Sequence, residues 1–126
     1  MIFCYFYVFA NRKEAAALFE NTDPEACAAE LAGLGCTAVV KLGDKGALVK
    51  EQKEDIISVP VQGFTRVVDT TGAGDTFAAG FLYGISRKKN LETACSYASI
   101  AASAIIAKFG GQFTPEEIVS LKEKLD

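Results

Sequence analysis

Short apolar runs alternate with amphipathic stretches along this chain. Two helices are predicted in its first third, over NRKEAAALFEN (residues 11–21) and DPEACAAELAGLG (residues 23–35), because apolar positions recur there with helical spacing. Asn11 and Asp23 are expected to be the N-caps, since their side-chain oxygens can accept hydrogen bonds from the free amides of a first turn.

Apolar runs without that spacing predict strands. MIFCYFYVFA (residues 1–10) and CTAVVKLG (residues 36–43) are expected to be buried strands. A GDKG turn follows at residues 43–46, and ALVKE and DIISVPV then predict two further strands of more exposed character.

Three helices are expected in the second half, over residues 75–88, 91–111 and 114 to the C-terminus. A short extended run, TRVV, precedes the first helix, and Asn90 can cap the second. Thr114 and Glu117 match the two ends of a capping box for the third. Together with the strands, this order predicts an α/β layered fold with a mostly parallel sheet.

The chain has the length and composition of one globular domain. It has 126 residues, of which 50% are hydrophobic and 23% are charged. Its net charge of −3 argues against sequence-independent binding to nucleic acid, which requires clustered Lys and Arg. The one basic cluster, Arg87-Lys88-Lys89, falls at a predicted helix end, where it would complement the helix dipole.

The cysteine and histidine content limits the kinds of catalytic and metal site that the chain can form. The chain has no histidine, which excludes His-based catalysis. Its four cysteines are dispersed without a C-x-x-C pair, so neither a zinc site nor a disulfide pattern is indicated. Free thiols in a reducing, cytoplasmic compartment are expected. The apolar opening segment is too short to cross a bilayer and lacks the features of a signal peptide, so no membrane association is predicted.

The stretch DTTGAGDTFAAG, residues 69–80, carries the most specific local chemistry. The first turn of a helix has unpaired amides and the positive end of the dipole, and glycines let an anion approach the backbone. Residues 71–74 therefore predict an anion hole at a helix start. Asp75 would place a carboxylate beside that anion, which suits a base that takes a proton from a hydroxyl attacking phosphorus.

A simpler alternative is open for this stretch, in which Asp75 caps the helix and the glycines make a tight turn. Two other phosphate-binding patterns are absent. The chain has no G-x-x-x-x-G-K-[ST] run, and Phe77 stands where a dinucleotide fingerprint requires a small residue.

The segment VVDTTGAGDTFAAGFLYG closely resembles the C-terminal signature of the ribokinase-like (PfkB) carbohydrate kinases, whose core reads D-T-x-G-A-G-D. Other segments follow in the family's order. NRKE matches its N-x-x-E motif, VVKLGDKGAL resembles its strand and turn beside the nucleotide, and ASIAASAIIAKFGGQ resembles its helix and loop at the adenine and cation sites. The resemblance implies a three-layer ribokinase-like fold with a mostly parallel sheet, with residues 1–126 as its C-terminal part.

By this resemblance the chain is an ATP-dependent phosphotransferase that moves the γ-phosphoryl group to a hydroxyl of a sugar or nucleoside. Asp75 would be the catalytic base, and the backbone amides of residues 72–74 (Gly72, Ala73 and Gly74) would form the anion hole. Asn11 and Glu14 would organise Mg²⁺ and the phosphates through water. The residues alone leave a second reading of Asn11 and Glu14 open, a reciprocal helix cap.

Further site residues are implied by their positions. Lys41, Gly43 and Gly46 fall where relatives shape the nucleotide site, although GDKG is also typical of a hairpin turn. Ser99 falls where relatives place a polar residue near adenine, or it eases helix packing. The resemblance also implies a K⁺ site built mainly from backbone carbonyls, at Asp69, Thr71, Ile105, Lys108, Gly110 and Thr114.

The resemblance does not include the glycine-rich sugar-binding motif and the lid strands that precede this part in relatives. We therefore expect a truncated or diverged kinase, in which a dimer or a partner chain supplies the missing half. Two alternatives to an active enzyme stay open: a non-catalytic nucleotide-binding module and a structural remnant.

Overall fold

The computed structural model describes residues 2–4, 7–61, 72–106 and 113–125, with the backbone alone for residues 2–4 and 106. Where the sequence predicts one domain, the residues group into two compact units, Met1–Val61 and Gln62–Asp126. In the described part of the chain, no helix is long and apolar enough to cross a membrane.

The first unit is built around a five-stranded sheet with the strand order β1-β2-β3-β4-β5. Its elements are β1 (Ile2–Cys4), β2 (Tyr7–Asn11), α1 (Arg12–Phe19), α2 (Pro24–Gly33), β3 (Thr37–Lys41), a 3-10 turn (Gly43–Lys45), β4 (Ala47–Lys50) and β5 (Ile57–Val59). Helices α1 and α2 form the crossover between β2 and β3, which pair in parallel from Tyr7↔Thr37 to Asn11↔Lys41.

Among the described residues there are four strand pairings, and only the β2–β3 pairing is parallel. The described sheet therefore differs from the mostly parallel sheet that was predicted. The reason is the length of the connections. Two residues join β1 to β2, and five join β3 to β4. Connections this short permit only antiparallel neighbours, whereas a parallel pair requires a crossover of a dozen or more residues.

The opening segment forms two strands where one was predicted. β1 pairs antiparallel with β2, with Ile2 opposite Phe9 and Cys4 opposite Tyr7. The predicted burial is confirmed for β2, in which Val8, Phe9 and Ala10 are all buried. Because successive residues point to opposite faces, burial of all three means that both faces of this strand are covered.

The strands after the GDKG turn are present, but the exposed character predicted for the first of them is wrong. Ala47, Leu48 and Val49 of β4 are buried. β4 lies between β3 and β5, and Leu48 joins the core that packs beneath α1 and α2. A central strand of this kind is apolar on both faces, so its sequence shows no alternation.

The predicted helix caps of the first unit are confirmed. The Asn11 side chain accepts a hydrogen bond from the Glu14 amide, and the Asp23 side chain accepts one from the Glu25 amide. Pro24 fills the first helical position of α2, where its missing N–H costs nothing.

The described part of the second unit contains helices α3 (Ala73–Ser86), α4 (Leu91–Ile106) and α5 (Pro115–Leu125). Asn90 caps α4 through a hydrogen bond of 2.8 Å from the Thr93 amide, as predicted. The capping box of α5 is also confirmed, with Thr114 and Glu117 exchanging backbone-to-side-chain bonds of 2.9 and 3.2 Å. The TRVV run and the predicted helix end at residues 110–111 lie outside the described residues.

The core of the second unit is the seam between α3 and α4. Gly80 and Gly84 of α3 lie against Ala94 and Ala98 of α4 so closely that neither glycine has room for a Cβ atom. Phe81 of α3 is fully buried. This seam fixes α3, and with it the start of that helix, where the predicted anion hole lies.

Candidate active site

The N-terminus of α3 lies within the glycine stretch, and the helix begins two residues earlier than predicted. Gly72 is the N-cap, with φ 78° and ψ 0°, and Ala73 is the first helical residue. A left-handed φ of this kind favours glycine, which has no Cβ atom, and this explains the residue type. Asp75 is therefore the third helical residue, and the alternative in which it caps the helix is wrong.

The first turn of α3 presents backbone amides without a side-chain cap. The first hydrogen bond of the helix runs from the Thr76 amide to the Gly72 carbonyl, at 2.9 Å. The amides of Ala73, Gly74 and Asp75 precede it and are the orphan donors of a helix start. Because the N-cap residue is glycine, no N-cap side chain accepts a hydrogen bond from these amides. This turn therefore combines N–H groups and the positive end of the helix dipole, which suits an anion.

The Asp75 side chain is exposed and makes no hydrogen bond in the part of the chain that the structure describes. It is the one acidic residue in the first turn of α3. Its carboxylate is thus accessible to a substrate hydroxyl and is not engaged in holding the helix. Asp69 and Thr71, which the resemblance assigned to the K⁺ site, lie outside the described residues.

A second group of predicted site residues comes together at the edge of the sheet in the first unit. Asn11 and Lys41 are Cα partners at the carboxyl ends of the parallel strands β2 and β3. In open α/β sheets ligands bind outside the carboxyl ends of the strands. Asn11 also caps α1, so the start of that helix lies at the same edge.

Asn11 and Glu14 form the reciprocal cap that the sequence left as an alternative. The Asn11 amide donates to Glu14 Oε1 at 3.0 Å, and the Glu14 amide donates to Asn11 Oδ1 at 2.8 Å. The bond from the Asn11 amide holds the pKa of the Glu14 carboxyl below its ordinary value, and the charge of Lys41 acts in the same direction. Glu14 is therefore held ionised beside Asn11 and Lys41.

The turn between β3 and β4 is fixed by its two glycines in different ways. Gly43 has φ 64° and no neighbour near its missing Cβ. Gly46 has φ 91°, and a Cβ there would lie 2.0 Å from the Val59 carbonyl oxygen. Its own carbonyl accepts from the Leu42 amide at 2.8 Å. Gly46, predicted as a nucleotide-site residue, thus has a packing role against the end of β5.

Three other predicted residues lie in the second unit. Ser99 is half-buried on α4, and Ile105 is fully buried on the same helix. The Thr114 carbonyl accepts the first hydrogen bond of α5, from Ile118 at 3.0 Å. Lys108 and Gly110, the remaining members of the predicted cation site, lie outside the described residues.

Comparison with known proteins identifies the family. The family model of the pfkB family carbohydrate kinases matches residues 1–118. The chain belongs to this family.

Among pfkB relatives, an uncharacterised sugar kinase of Archaeoglobus fulgidus is 39% identical over 103 residues, covering 81% of this chain and 40% of its own. The crystal structure of adenosine kinase from Sinorhizobium meliloti matches 94% of this chain and 36% of its own, with 34% identity and a TM-score of 0.81. The structure of Arabidopsis thaliana ribokinase with ribose and ATP matches 91% of this chain and 40% of the ribokinase chain, with 30% identity and a TM-score of 0.78. These neighbours confirm the predicted ribokinase-like fold.

The pfkB chain thus spans between 36% and 40% of the length of these three relatives. Its glycine stretch, the feature that carried the sequence prediction, is the start of α3. Sequence reasoning missed one donor there, the backbone N–H of Asp75 itself, because the helix start was placed two residues too late. The signal that could have found it is Gly72, a residue suited to a left-handed N-cap.

Proposed function

We propose that the chain carries the phosphoryl-transfer part of an ATP-dependent kinase for sugars or nucleosides, and that residues 1–126 are the C-terminal portion of that kinase domain. The observation that carries this proposal is the first turn of α3, with an exposed carboxylate next to uncapped backbone amides. Membership of the family indicates the class of reaction. The carboxylate and the backbone amides of this turn are groups suited to that reaction.

In this proposal Asp75 accepts the proton of the attacking hydroxyl. An acceptor alcohol is a weak nucleophile, and proton removal by a positioned carboxylate typically contributes about 10²–10⁴-fold to the rate. Exposure of Asp75 favours this role, since the carboxylate must reach a substrate. Within the described residues the side chain makes no hydrogen bond, so its carboxylate is available to a substrate.

The amides at the start of α3 are proposed to bind the transferred phosphoryl group. Charge accumulates on its equatorial oxygens during transfer, and fixed N–H donors with the helix dipole stabilise that charge without reorganising. The donors are the amides of residues 72–75, which adds Asp75 to the predicted set. Gly74 keeps the approach free of a side chain.

Asn11 and Glu14 are proposed to hold hydrated Mg²⁺ and the nucleotide phosphates. Carboxylate and amide oxygens are the ligands that Mg²⁺ prefers, and a lowered pKa keeps Glu14 in the ionised form that a cation requires. When bound, Mg²⁺ would neutralise phosphate charge. Lys41 provides a positive charge at the same sheet edge. A K⁺ site using the Ile105 and Thr114 carbonyls is part of the same proposal.

The acceptor class is proposed from the relatives, which are named as a sugar kinase, an adenosine kinase and a ribokinase bound to ribose. Sugars and nucleosides both carry hydroxyl groups on a sugar ring. The test is phosphorylation of a panel of sugars and nucleosides by the chain with Mg²⁺ and ATP. Asp75→Asn should lower turnover by about 10²–10⁴-fold.

A matched control is Asp23→Asn, because asparagine caps a helix as well as aspartate does and Asp23 caps α2. This variant should leave turnover unchanged. Nucleotide binding, followed as a rise in melting temperature, should survive in Asp75→Asn. Binding without turnover in the wild-type chain would instead favour the non-catalytic module, and neither binding nor turnover would favour a structural remnant.

A further inference from the structure

One acidic and one basic side chain lie close together where β2 and β3 end. Asn11 and Lys41 are Cα partners in the parallel register of these strands, so they lie side by side at the sheet edge. The Glu14 carboxylate is anchored beside Asn11, because Glu14 Oε1 accepts a hydrogen bond from the Asn11 amide at 3.0 Å. Neighbouring strands are about 4.8 Å apart, so this carboxylate is within reach of the Lys41 side chain.

The charges of Glu14 and Lys41 influence each other. The pKa of the Glu14 carboxyl is lowered mainly by the bond from the Asn11 amide, and the charge of Lys41 acts in the same direction. Glu14 and Lys41 are both half-buried, so salt screens their interaction less than it screens one between exposed groups. Two other cations at the start of α1, Arg12 and Lys13, are exposed and are therefore screened more strongly.

The side chains at this edge supply few ligands for a metal ion. Among the described residues, no group of three or more acidic, histidine or cysteine side chains is placed so that it could hold a metal. Mg²⁺ is commonly bound by one or two carboxylates, while water and substrate phosphates complete its coordination. Glu14 fits the carboxylate of that description. A divalent cation beside Glu14 would therefore take most of its other ligands from water and from phosphate oxygens.

Glu14 and Lys41 act on the two ligands of the proposed reaction with opposite signs. Lys41 attracts nucleotide phosphates and repels a divalent cation that arrives without them, whereas Glu14 does the reverse. A metal-free nucleotide and a nucleotide-free metal each meet one favourable and one unfavourable charge. A nucleotide that carries its metal presents both signs together, so its charges are complementary to both side chains.

We propose that Lys41 makes this sheet edge selective for the metal–nucleotide pair over either component alone. The inference rests on the proposed function, because it requires that Mg²⁺ and nucleotide phosphates bind beside Asn11 and Glu14. It adds a specificity role for Lys41, whose charge weakens the binding of a free metal and strengthens the binding of a free nucleotide. A lysine with only a structural role would change both affinities in the same direction, or neither.

The experiment measures the two affinities separately in the full chain. Mn²⁺, a probe that shares the oxygen ligands of Mg²⁺, is titrated without nucleotide and followed by electron paramagnetic resonance. ATP is titrated calorimetrically in the presence of EDTA. Lys41→Gln should bind Mn²⁺ about threefold more tightly and metal-free ATP about tenfold more weakly. The matched control is Lys122→Gln, which makes the same change of net charge at an exposed position of α5 and should bind both ligands like wild type.

Lys41→Arg keeps the charge, so both of its affinities should stay close to those of wild type. Changes of the same sign in Lys41→Gln, or no change in either affinity, would overturn the inference, and binding of Mn²⁺ with ATP by wild type would leave the proposed function standing. Failure of wild type to bind Mn²⁺ and ATP even when both are present would overturn the proposed function and this inference together. Melting curves of all variants establish that each is folded.

Discussion

Gly80 of α3 and Ala98 of α4 are in direct backbone contact. A Cβ atom on Gly80 would lie 2.9 Å from the Ala98 Cα atom. Gly84 repeats this relationship one turn later, with 2.8 Å to the Ala94 Cα atom. Residues four apart share one helix face, so the two glycines form a single flat strip on α3. The start of α3, where the proposed catalytic turn lies, is positioned by this seam.

Gly80→Ala should therefore destabilise the second unit. An inserted methyl group in a packed interface costs about 1–3 kcal/mol, and the better helix propensity of alanine offsets up to about 1 kcal/mol of that. The matched control is Gly33→Ala on α2, where nothing lies within 4 Å of the missing Cβ. The control should be neutral or stabilising. Urea unfolding followed by circular dichroism measures both, and a Gly80→Ala variant as stable as wild type would contradict the packing argument.

The two glycines of the β3–β4 turn should respond differently to alanine. Gly43→Ala meets only the backbone strain of φ 64°, about 1 kcal/mol. Gly46→Ala also drives a Cβ into the Val59 carbonyl, so its cost should be at least about 3 kcal/mol. Unfolding curves of both variants show which substitution lowers the free energy of unfolding more. If Gly46→Ala is folded and equally stable but fails to bind nucleotide, the residue contacts ligand and its packing role is secondary.

Glu14→Gln separates the cap from the proposed metal role. Glutamine can still accept from the Asn11 amide, so stability should change by less than about 0.5 kcal/mol, whereas Glu14→Ala should lose about 1 kcal/mol. Both variants lose the negative charge and should bind Mg²⁺ and ATP about tenfold more weakly. Thermal shift against Mg²⁺ at fixed ATP measures the binding. Unchanged affinity in Glu14→Gln would make Glu14 a cap and nothing more.

The lowered pKa of Glu14 also predicts a pH dependence of stability. The folded chain favours the carboxylate, so the stabilisation is present above the ordinary pKa of 4.5 and is lost as pH falls through the lower folded value. Wild type should lose stability between pH 5 and pH 3 more steeply than Glu14→Gln, whose side chain does not titrate. Melting temperatures across this range test the sign, and parallel curves for the two proteins would refute it.

The features that sequence predicted well depend on residues within four positions of one another. The Thr114–Glu117 cap was predicted and is formed, and the Asn11–Glu14 cap, which the sequence left open as an alternative, is formed as well. The start of α3 was misplaced by two residues because it depends on the left-handed backbone of Gly72. A glycine permits this backbone conformation but does not require it.

Features that depend on strand pairing could not be predicted from the pattern of apolar and polar residues. The pairing of Asn11 with Lys41 joins residues thirty positions apart, and only the parallel register of β2 and β3 brings them together. The burial of β4 likewise follows from its central place in the sheet. The role of Gly46 is of the same type, because Val59 reaches it only through the β4–β5 pairing.

Cys95 should be unreactive in the folded chain. Its side chain is 1% exposed on α4, and burial raises the pKa of the thiol to about 12. At pH 8 only about one molecule in ten thousand would carry the thiolate, which is the nucleophilic form. Stability should also fall as pH rises above 9, because the unfolded thiol ionises first.

Cys36 is the internal comparison, since it is only half-buried. Burial raises its pKa too, but the side chain lies nearer to solvent. Iodoacetamide labelling at pH 8, quantified by peptide mass spectrometry, should modify Cys36 at least about tenfold faster than Cys95. In urea the two rates should converge, because the difference arises from the fold. Equal rates in the folded chain would show that α4 opens readily and that the α3–α4 seam is not a stable core.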